Sequence, residues 1–326
     1  MSANNRSTIR FVTYNVLSQK LCNPGHYPHQ QTEDLEPHTR YERVVSKLEH
    51  HVNEESVIVL QEVTDTWAGK LAVFFADREY FFIHEGYAGF FSDYMGVALA
   101  FSLKKYKLLD LAKKRISDTV EWQHLRNKNN QNQRSSKNTN SKMSPHEIAQ
   151  KRQNKAIWAK VECRETGKDF CLGVYHMPCE FRTPLVMNMH AALCLGYMQE
   201  KSGNSPLILG GDFNFGPSSF AYRVITKGIV DKATKDLLSR ELVAMKSAYE
   251  TFLGDEPDFT NFSWSKPRRG EKDEGPFIGC LDYIFLSPQF DVVDVLELQH
   301  RKDSSGPFPN AVEPSDHILI ATTLHL

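Results

Sequence analysis

Residues 206–214 read Pro206-Leu207-Ile208-Leu209-Gly210-Gly211-Asp212-Phe213-Asn214. An aliphatic run this short, with no polar residue to mark a wet face, is the pattern of a strand covered on both sides of a sheet. Two glycines close the run, and a carboxylate and a carboxamide follow at once. The same grammar recurs along the chain. Val57-Ile58-Val59-Leu60 runs into Gln61-Glu62, and Phe170-Cys171-Leu172-Gly173-Val174-Tyr175 runs into His176. Ile9 to Tyr14 runs into Asn15, Asp282 opens the strand Leu281 to Leu286, and Asp316-His317 stand just before a last strand, Ile318 to Leu326. Met95–Phe101, Ala156–Val161 and Val292–Leu298 read as further strands. Between them, Tyr41, Val44, Val45, Leu48 and Val52 share one helical face, as do Trp67, Leu71, Phe74 and Phe75. A third helix follows Pro184 to about Glu200, proline being well tolerated in a helix's first turn. Strands alternating with helices predict an α/β fold, and polar residues at strand ends predict a site held there by a rigid scaffold.

The whole composition agrees. The chain has 326 residues, 40% hydrophobic and 24% charged, which is ordinary globular usage and excludes wholesale disorder, collagen and coiled coil. A net charge of −1 excludes a globally basic nucleic-acid binder, so an anionic partner must be held by local features. No apolar run reaches the roughly 18–20 residues that span a bilayer. The start, Met1 to Ser7, lacks an apolar stretch of the secretory kind. Six cysteines lie scattered without a CxxC pair, which reads as reduced thiols. A cytoplasmic location is therefore expected, with the nucleus as the alternative, and no membrane partner. We expect one domain over residues 8–326, interrupted by an insertion at about 126–155. That segment is rich in Asn, Gln and Ser, carries eight Lys or Arg against one Glu, and holds almost no large apolar side chain. Its composition predicts a mobile basic insertion, either a solvated surface loop or a flexible arm that touches a polyanion.

Each polar strand end has a plain reading: Asn15 as a turn residue, Glu62 as an exit into water, Asp316 as a strand's polar flank. Together they supply what a magnesium phosphodiesterase needs. Mg²⁺ takes one or two carboxylates and completes its shell with water and phosphate oxygens. An Asp–His pair orients an imidazole and stabilises its charged form. An Asp-x-Asn pair at a strand end can hold and deprotonate an attacking water. His176-Met177-Pro178-Cys179 lacks the second ligand pair that a zinc site requires. Met187, Met189 and Met198 read as helix core filler. Lys266-Pro267-Arg268-Arg269-Gly270 is a basic turn, either solvated or in contact with phosphate.

Tyr14-Asn15-Val16-Leu17-Ser18, Leu60-Gln61-Glu62-Val63, His176, Gly211-Asp212-Phe213-Asn214, Leu281-Asp282-Tyr283-Ile284-Phe285 and Ser315-Asp316-His317, in that order, resemble the endonuclease/exonuclease/phosphatase superfamily. The abasic-site endonucleases place Asp where Leu17 stands. The inositol-polyphosphate 5-phosphatases place Arg at Gly216 and at Tyr283. Pro217, Ser219 and Tyr222 after the Gly-Asp-x-Asn block instead resemble the deadenylase branch, with its CCR4-type, nocturnin-like, Angel-like and 2′-phosphodiesterase members.

The resemblance implies a four-layer sandwich, two mixed β-sheets flanked by helices. It implies Mg²⁺, with Mn²⁺ as a substitute, held mainly by Glu62 with Asn15 and Asp316 nearby. Asp212, positioned by Asn214, would activate water; His317, paired with Asp282, and His176 would contact the phosphate; and Phe277 would either stack on a base or cover the site as a rim residue. Arg268 and Arg269 are candidate phosphate contacts, and Asn15 a candidate substrate contact. The implied activity is Mg²⁺-dependent hydrolysis of RNA from its 3′ end with release of 5′-nucleotides. Two alternatives stand beside it: a small phosphate ester or dinucleotide cleaved at the same site, and an inactive member that binds RNA or protein.

Overall fold

Strands that are apolar on both faces need cover on both faces, and the chain provides it by stacking two sheets. The computed structural model describes residues 6–87, 94–122, 143–267 and 272–326. In chain order the strands are β1 (Thr8–Asn15), β2 (Val57–Gln61), β3 (Tyr80–Tyr87), β4 (Met95–Ser102), β5 (Tyr106–Arg115), β6 (Lys155–Cys163), β7 (Asp169–His176), β8 (Leu207–Asp212), β9 (Lys246–Ser247), β10 (Asn261–Ser263), β11 (Phe277–Gly279), β12 (Asp282–Leu286), β13 (Asp291–Val295) and β14 (Ile320–His325). One sheet runs β13-β14-β1-β2-β4-β3 and the other β5-β6-β7-β8-β12-β9, each with six strands. Both are mixed: β1 and β2 are parallel, as are β7 and β8, while the other pairings are antiparallel. β10 and β11 form a separate two-stranded ribbon.

The helices are α1 (Thr32–Leu35), α2 (Pro37–Asn53), α3 (Asp65–Ala76), α4 (Pro145–Lys151), α5 (Pro184–Ser202), α6 (Phe220–Lys227), α7 (Lys232–Lys235) and α8 (Ala248–Leu253). Alternation along each strand sorts the core into layers, because successive side chains point to opposite faces. Phe11, Val57 and Val59 meet Leu172, Val174 and Ile208 between the sheets. Val12, Ile58 and Leu60 turn outward onto α2 and α3 through Val44, Leu48 and Leu71. Cys171, Leu207 and Leu209 turn the other way onto α5 and α6, where Met187, Met189 and Met198 are buried. The result is helix, sheet, sheet, helix, the four-layer α/β sandwich.

The double glycine has a packing reason. A Cβ on Gly210 would stand 2.5 Å from the Phe11 ring of the facing sheet, and one on Gly211 would stand 1.9 Å from the Tyr175 carbonyl oxygen. No side chain fits at either position, so β8 lies close to both neighbours just before it delivers Asp212.

Two of the longer strands lack a clear sequence signal. β3 and β5 lie at sheet edges; β3 is half-buried through its middle, where it carries Glu85, and β5 mixes exposed, half-buried and charged residues. Edge strands need no continuous apolar run, since solvent meets one side of them. The insertion also needs correcting. Residues 123–142 lie outside the described residues, but 143–155 are built into the fold. Ser144 caps α4 with a complete capping box, in which Glu147 returns a bond to the Ser144 backbone N–H. Ala149 is fully buried, and its carbonyl accepts from Ser117 Oγ (3.0 Å) and His190 Nε2 (3.0 Å). Ala149 and Ile148 packed on the core, a good cap and the Arg115 bonds to the Gln150 and Arg152 carbonyls order this turn, which a composition average does not register.

Candidate active site

The strand parity that fills the core also builds the site. Ile208 and Gly210 face the opposite sheet, and so does Asp212, two residues on. In β7, Leu172 and Val174 lead to His176; in β1, Ile9 and Phe11 lead to Asn15. Register completes the alignment, since Asp212 lies opposite both His176 of β7 and Asp282 of β12. Thus three adjacent strands of one sheet place His176, Asp212 and Asp282 side by side. The other sheet presents Asn15 and, one residue beyond β2, Glu62. All are buried at one end of the sandwich.

Asp212 Oδ2 is the hub. It accepts from Asn15 Nδ2 at 2.9 Å, and His176 Nε2 and His317 Nε2 lie 3.5 and 3.6 Å away. Asp212 Oδ1 accepts from the backbone N–H of Asn214 at 2.9 Å. The Asn214 side chain is committed elsewhere, to the Met177 carbonyl (2.9 Å), so Asn214 meets Asp212 through its backbone. Asn214 and Glu62 adopt left-handed φ values of 52° and 62°, sparsely populated for residues with a Cβ, which aim these turns at the site.

His317 Nδ1 donates to Asp282 Oδ2 at 2.7 Å. The same oxygen accepts from Thr260 Oγ1 (2.6 Å), whose hydroxyl oxygen in turn accepts from the backbone N–H groups of Leu281 and Asp282. Burial alone would push the His317 imidazole down, but the Asp282, Asp212 and Asp316 carboxylates outweigh it and hold it well above its ordinary value. Asp212 is shifted upward, first by burial and also by Asp282, against the two imidazoles. The pair therefore joins a protonated imidazole to a carboxylate of raised basicity.

Asn15 links the two sheets. Its Nδ2 donates to both Glu62 (3.2 Å) and Asp212 (2.9 Å), while its Oδ1 accepts from Leu17 N–H (2.9 Å). Its amide NH₂ stands as a donor between two carboxylates. Glu62 Oε2 accepts from the Ser18 backbone N–H at 2.9 Å. Asp316 is held by Tyr27 OH (2.9 Å) and Asn261 Nδ2 (3.4 Å), both on Oδ2; its Oδ1, like Asp282 Oδ1, is buried without a partner. The ligand atoms of Glu62, His176 and Asp212 lie within 4.8 Å of one another, as do those of Asp212, Asp282 and His317. Among the described residues, neither Glu62 nor Asp212 has a Lys or Arg ion-pair partner. Converging oxygens, unpaired carboxylates and orphaned lone pairs fit a hard divalent cation.

Phe277 is 52% exposed on β11, and Arg268 and Arg269 lie outside the described residues. Sequence reasoning missed Tyr87, whose OH bonds His176 Nδ1 at 2.7 Å, as well as Thr260, Tyr27 and the buried Arg40. Arg40 satisfies its guanidinium on the carbonyls of Val16, Leu17 and Pro314 and on Gln19 Oε1, tying the loop after β1 to the segment carrying Asp316. None of these residues follows an apolar run that would flag it, and each acts through a partner distant in sequence.

The sequence pattern of the "Endonuclease/Exonuclease/phosphatase family" matches residues 12–317. The chain belongs to this family. Its members are phosphoesterases and nucleases. Carbon catabolite repressor protein 4 homolog 4 of Arabidopsis thaliana is 34% identical over 125 residues, covering 37% of this chain and 27% of the plant protein. Human nocturnin is 27% identical over 171 residues, 50% of this chain and 35% of nocturnin. These alignments thus span about a third or less of the curated relatives' own length. Among solved structures, ANGEL2, described as a 2′,3′-cyclic phosphatase in complex with adenosine-2′,3′-vanadate, superposes with a TM-score of 0.75 at 18% identity, over 100% of this chain and 97% of that one. These relatives match the deadenylase branch that the motifs resemble. Among the described residues, no helix is long and apolar enough to cross a membrane.

Proposed function

We propose that the chain is a Mg²⁺-dependent phosphodiesterase that removes nucleotides from RNA 3′ ends. The observation that carries this reading is the convergence of both sheets on Asp212, with Asn15 at 2.9 Å and two imidazole Nε2 atoms at 3.5 and 3.6 Å. A phosphodiester carries negative charge and gains more on its non-bridging oxygens as water attacks. The site must therefore supply a base for the water and donors for the phosphoryl oxygens.

Asp212 is the base. Its raised pKa increases its hold on the water's proton, and the Asn214 N–H and Asn15 amide fix its two oxygens. Protonated His317 donates from Nε2 to a phosphoryl oxygen, while Asp282 fixes the ring through Nδ1 and stabilises its charge. His176 contacts the same phosphate. Glu62 and Asp316 would hold a divalent cation, which would supply charge neutralisation at the phosphoryl oxygens. Water adds to phosphorus, the bond to the 3′-oxygen of the penultimate nucleotide breaks, and the terminal nucleotide leaves with its 5′-phosphate. Phe277, exposed on β11, supplies a stacking face for a base, a contact worth about 1–3 kcal/mol.

The test is a panel of end-labelled substrates: oligoadenylate, 2′–5′ oligoadenylate, RNA with a 2′,3′-cyclic phosphate end, abasic DNA and NADPH, each with Mg²⁺ or EDTA. The reading requires 5′-AMP release from oligoadenylate that EDTA abolishes. Turnover confined to the cyclic phosphate or to NADPH would move the substrate to a small ester at the same site. No turnover with any substrate would leave a binding protein.

A further inference from the structure

We propose that Tyr87 is a positioning residue that sets the tautomer of His176, so that this imidazole presents an N–H and not a lone pair to the reaction site. His176 has a defined neighbour at each ring nitrogen. Tyr87 OH lies 2.7 Å from Nδ1, buried, and Asp212 Oδ2 lies 3.5 Å from Nε2. A neutral imidazole has one proton to place. A carboxylate oxygen only accepts, so the proton belongs on Nε2, and Nδ1 is left to accept from the phenol. The phenol is able to donate. Burial, and then the Glu62 and Asp212 charges, push its pKa well above the ordinary value, so it keeps its proton. The ring is enclosed, His176 being only 6% exposed and Tyr87 only 8% exposed at the end of β3.

This assignment changes what the cluster can do. By residue type alone, Glu62, His176 and Asp212 form a two-carboxylate, one-histidine set of the kind that holds a transition metal. With Nε2 protonated, His176 has no lone pair to offer there. It presents that N–H toward Asp212, 3.5 Å away, and toward the phosphate. The cation is left to oxygen ligands, which favours Mg²⁺ over Zn²⁺ at this site. The kinetic consequence rests on the phosphodiesterase reading above; the tautomer does not.

The experiment has two arms. In the full chain with uniformly ¹⁵N-labelled histidine and no added metal, the His176 ring, assigned by its loss in His176→Gln, is expected to show a protonated Nε2 and an unprotonated Nδ1. The opposite pattern overturns the proposal whatever the activity. In Tyr87→Phe the ring is expected to show both tautomers. kcat should then fall roughly 10–100-fold, the usual effect of removing a residue that orients a functional histidine, with little change in KM. Mg²⁺ affinity by calorimetry should be unchanged. The kinetic arm is a cycle: in the His176→Gln background the further Tyr87→Phe change should cost nothing, whereas a merely structural tyrosine would cost the same in both backgrounds. Equal losses, or weaker Mg²⁺ binding in Tyr87→Phe alone, would refute the positioning role. If Tyr87→Phe does not fold, the wild-type tautomer decides. If the wild type turns over no substrate but shows the expected tautomer, the functional reading fails and this one stands.

Discussion

Replacing Asp282 with asparagine isolates the charge of the Asp282–His317 pair from its geometry. The carboxylate oxygen lies 2.7 Å from Nδ1. At that separation and an effective dielectric near 20, the attraction is about 6 kcal/mol. Burying both charges takes back a large part of this, so the net loss on neutralising one partner falls nearer the roughly 3–5 kcal/mol measured for broken buried pairs. The carboxamide oxygen of the Asp282→Asn variant can still accept from Nδ1 and from Thr260, so the ring keeps its place. His317 then loses the largest influence that holds it protonated against burial. Because the charge matters most when the phosphorane forms, the loss should appear in kcat, about 10²–10⁴-fold, with KM little changed. His317→Ala should cost at least ~100-fold for the same reason. The assay is steady-state cleavage of a labelled oligoadenylate at saturating Mg²⁺ for both single variants and the double. The pair acts as a unit, so the double variant should be scarcely worse than His317→Ala. Additive losses would refute the pairing.

Glu62→Gln keeps the side chain's shape but removes its charge. It should abolish Mg²⁺-dependent turnover and the shift of melting temperature on adding Mg²⁺, with an unchanged circular dichroism spectrum; near-wild-type rates at limiting Mg²⁺ would show that the cation binds elsewhere. His190 is fully buried between Tyr175 OH (2.8 Å) and the Ala149 carbonyl (3.0 Å), and burial pushes its pKa down from 6.5 to about 4. Between those values the unfolded chain binds the proton and the folded chain does not. Stability should therefore fall as pH drops through this window, by about 3 kcal/mol for this site, and be flat above it. His190→Gln should show a shallower decline of melting temperature from pH 6.5 to 4, and an identical slope would exclude the site. Replacing residues 145–151 with a Gly/Ser linker should lower stability by about 1–3 kcal/mol, because it disturbs the Ala149 carbonyl that His190 and Ser117 share. An unchanged melting temperature would restore the loop reading of this segment.

Six apolar runs and their polar exits determined a great deal. The strands β1, β2, β7, β8, β12 and β14 are where local pattern put them, within a residue or two, because a strand buried on both faces has no other way to be written. Their ends supplied Asn15, Glu62, His176, Asp212, Asp282 and His317: alternation carries the inward face of β1, β7 and β8 to Asn15, His176 and Asp212, while Glu62 turns in through its left-handed backbone. What the pattern could not supply is which end faces which. Ser315 Oγ bonds the Asn15 carbonyl at 2.6 Å, and Tyr14 OH bonds Glu313 at 2.6 Å. These contacts close nearly the whole chain, and no local signal encodes a partner 300 residues away. The same holds for Tyr87 on His176, Thr260 on Asp282 and Tyr27 on Asp316. Each is a polar residue at an edge strand, a short ribbon or a loop, where solvent cover relaxes the apolar pattern. Asn15 shows the division most sharply: its position was legible from β1, but the direction of its amide was not. That direction is fixed by Leu17 N–H on one side and by two carboxylates on the other, one of them brought across from the second sheet. Residue type and spacing follow from local sequence; hydrogen-bond direction follows from the packing of one sheet on the other.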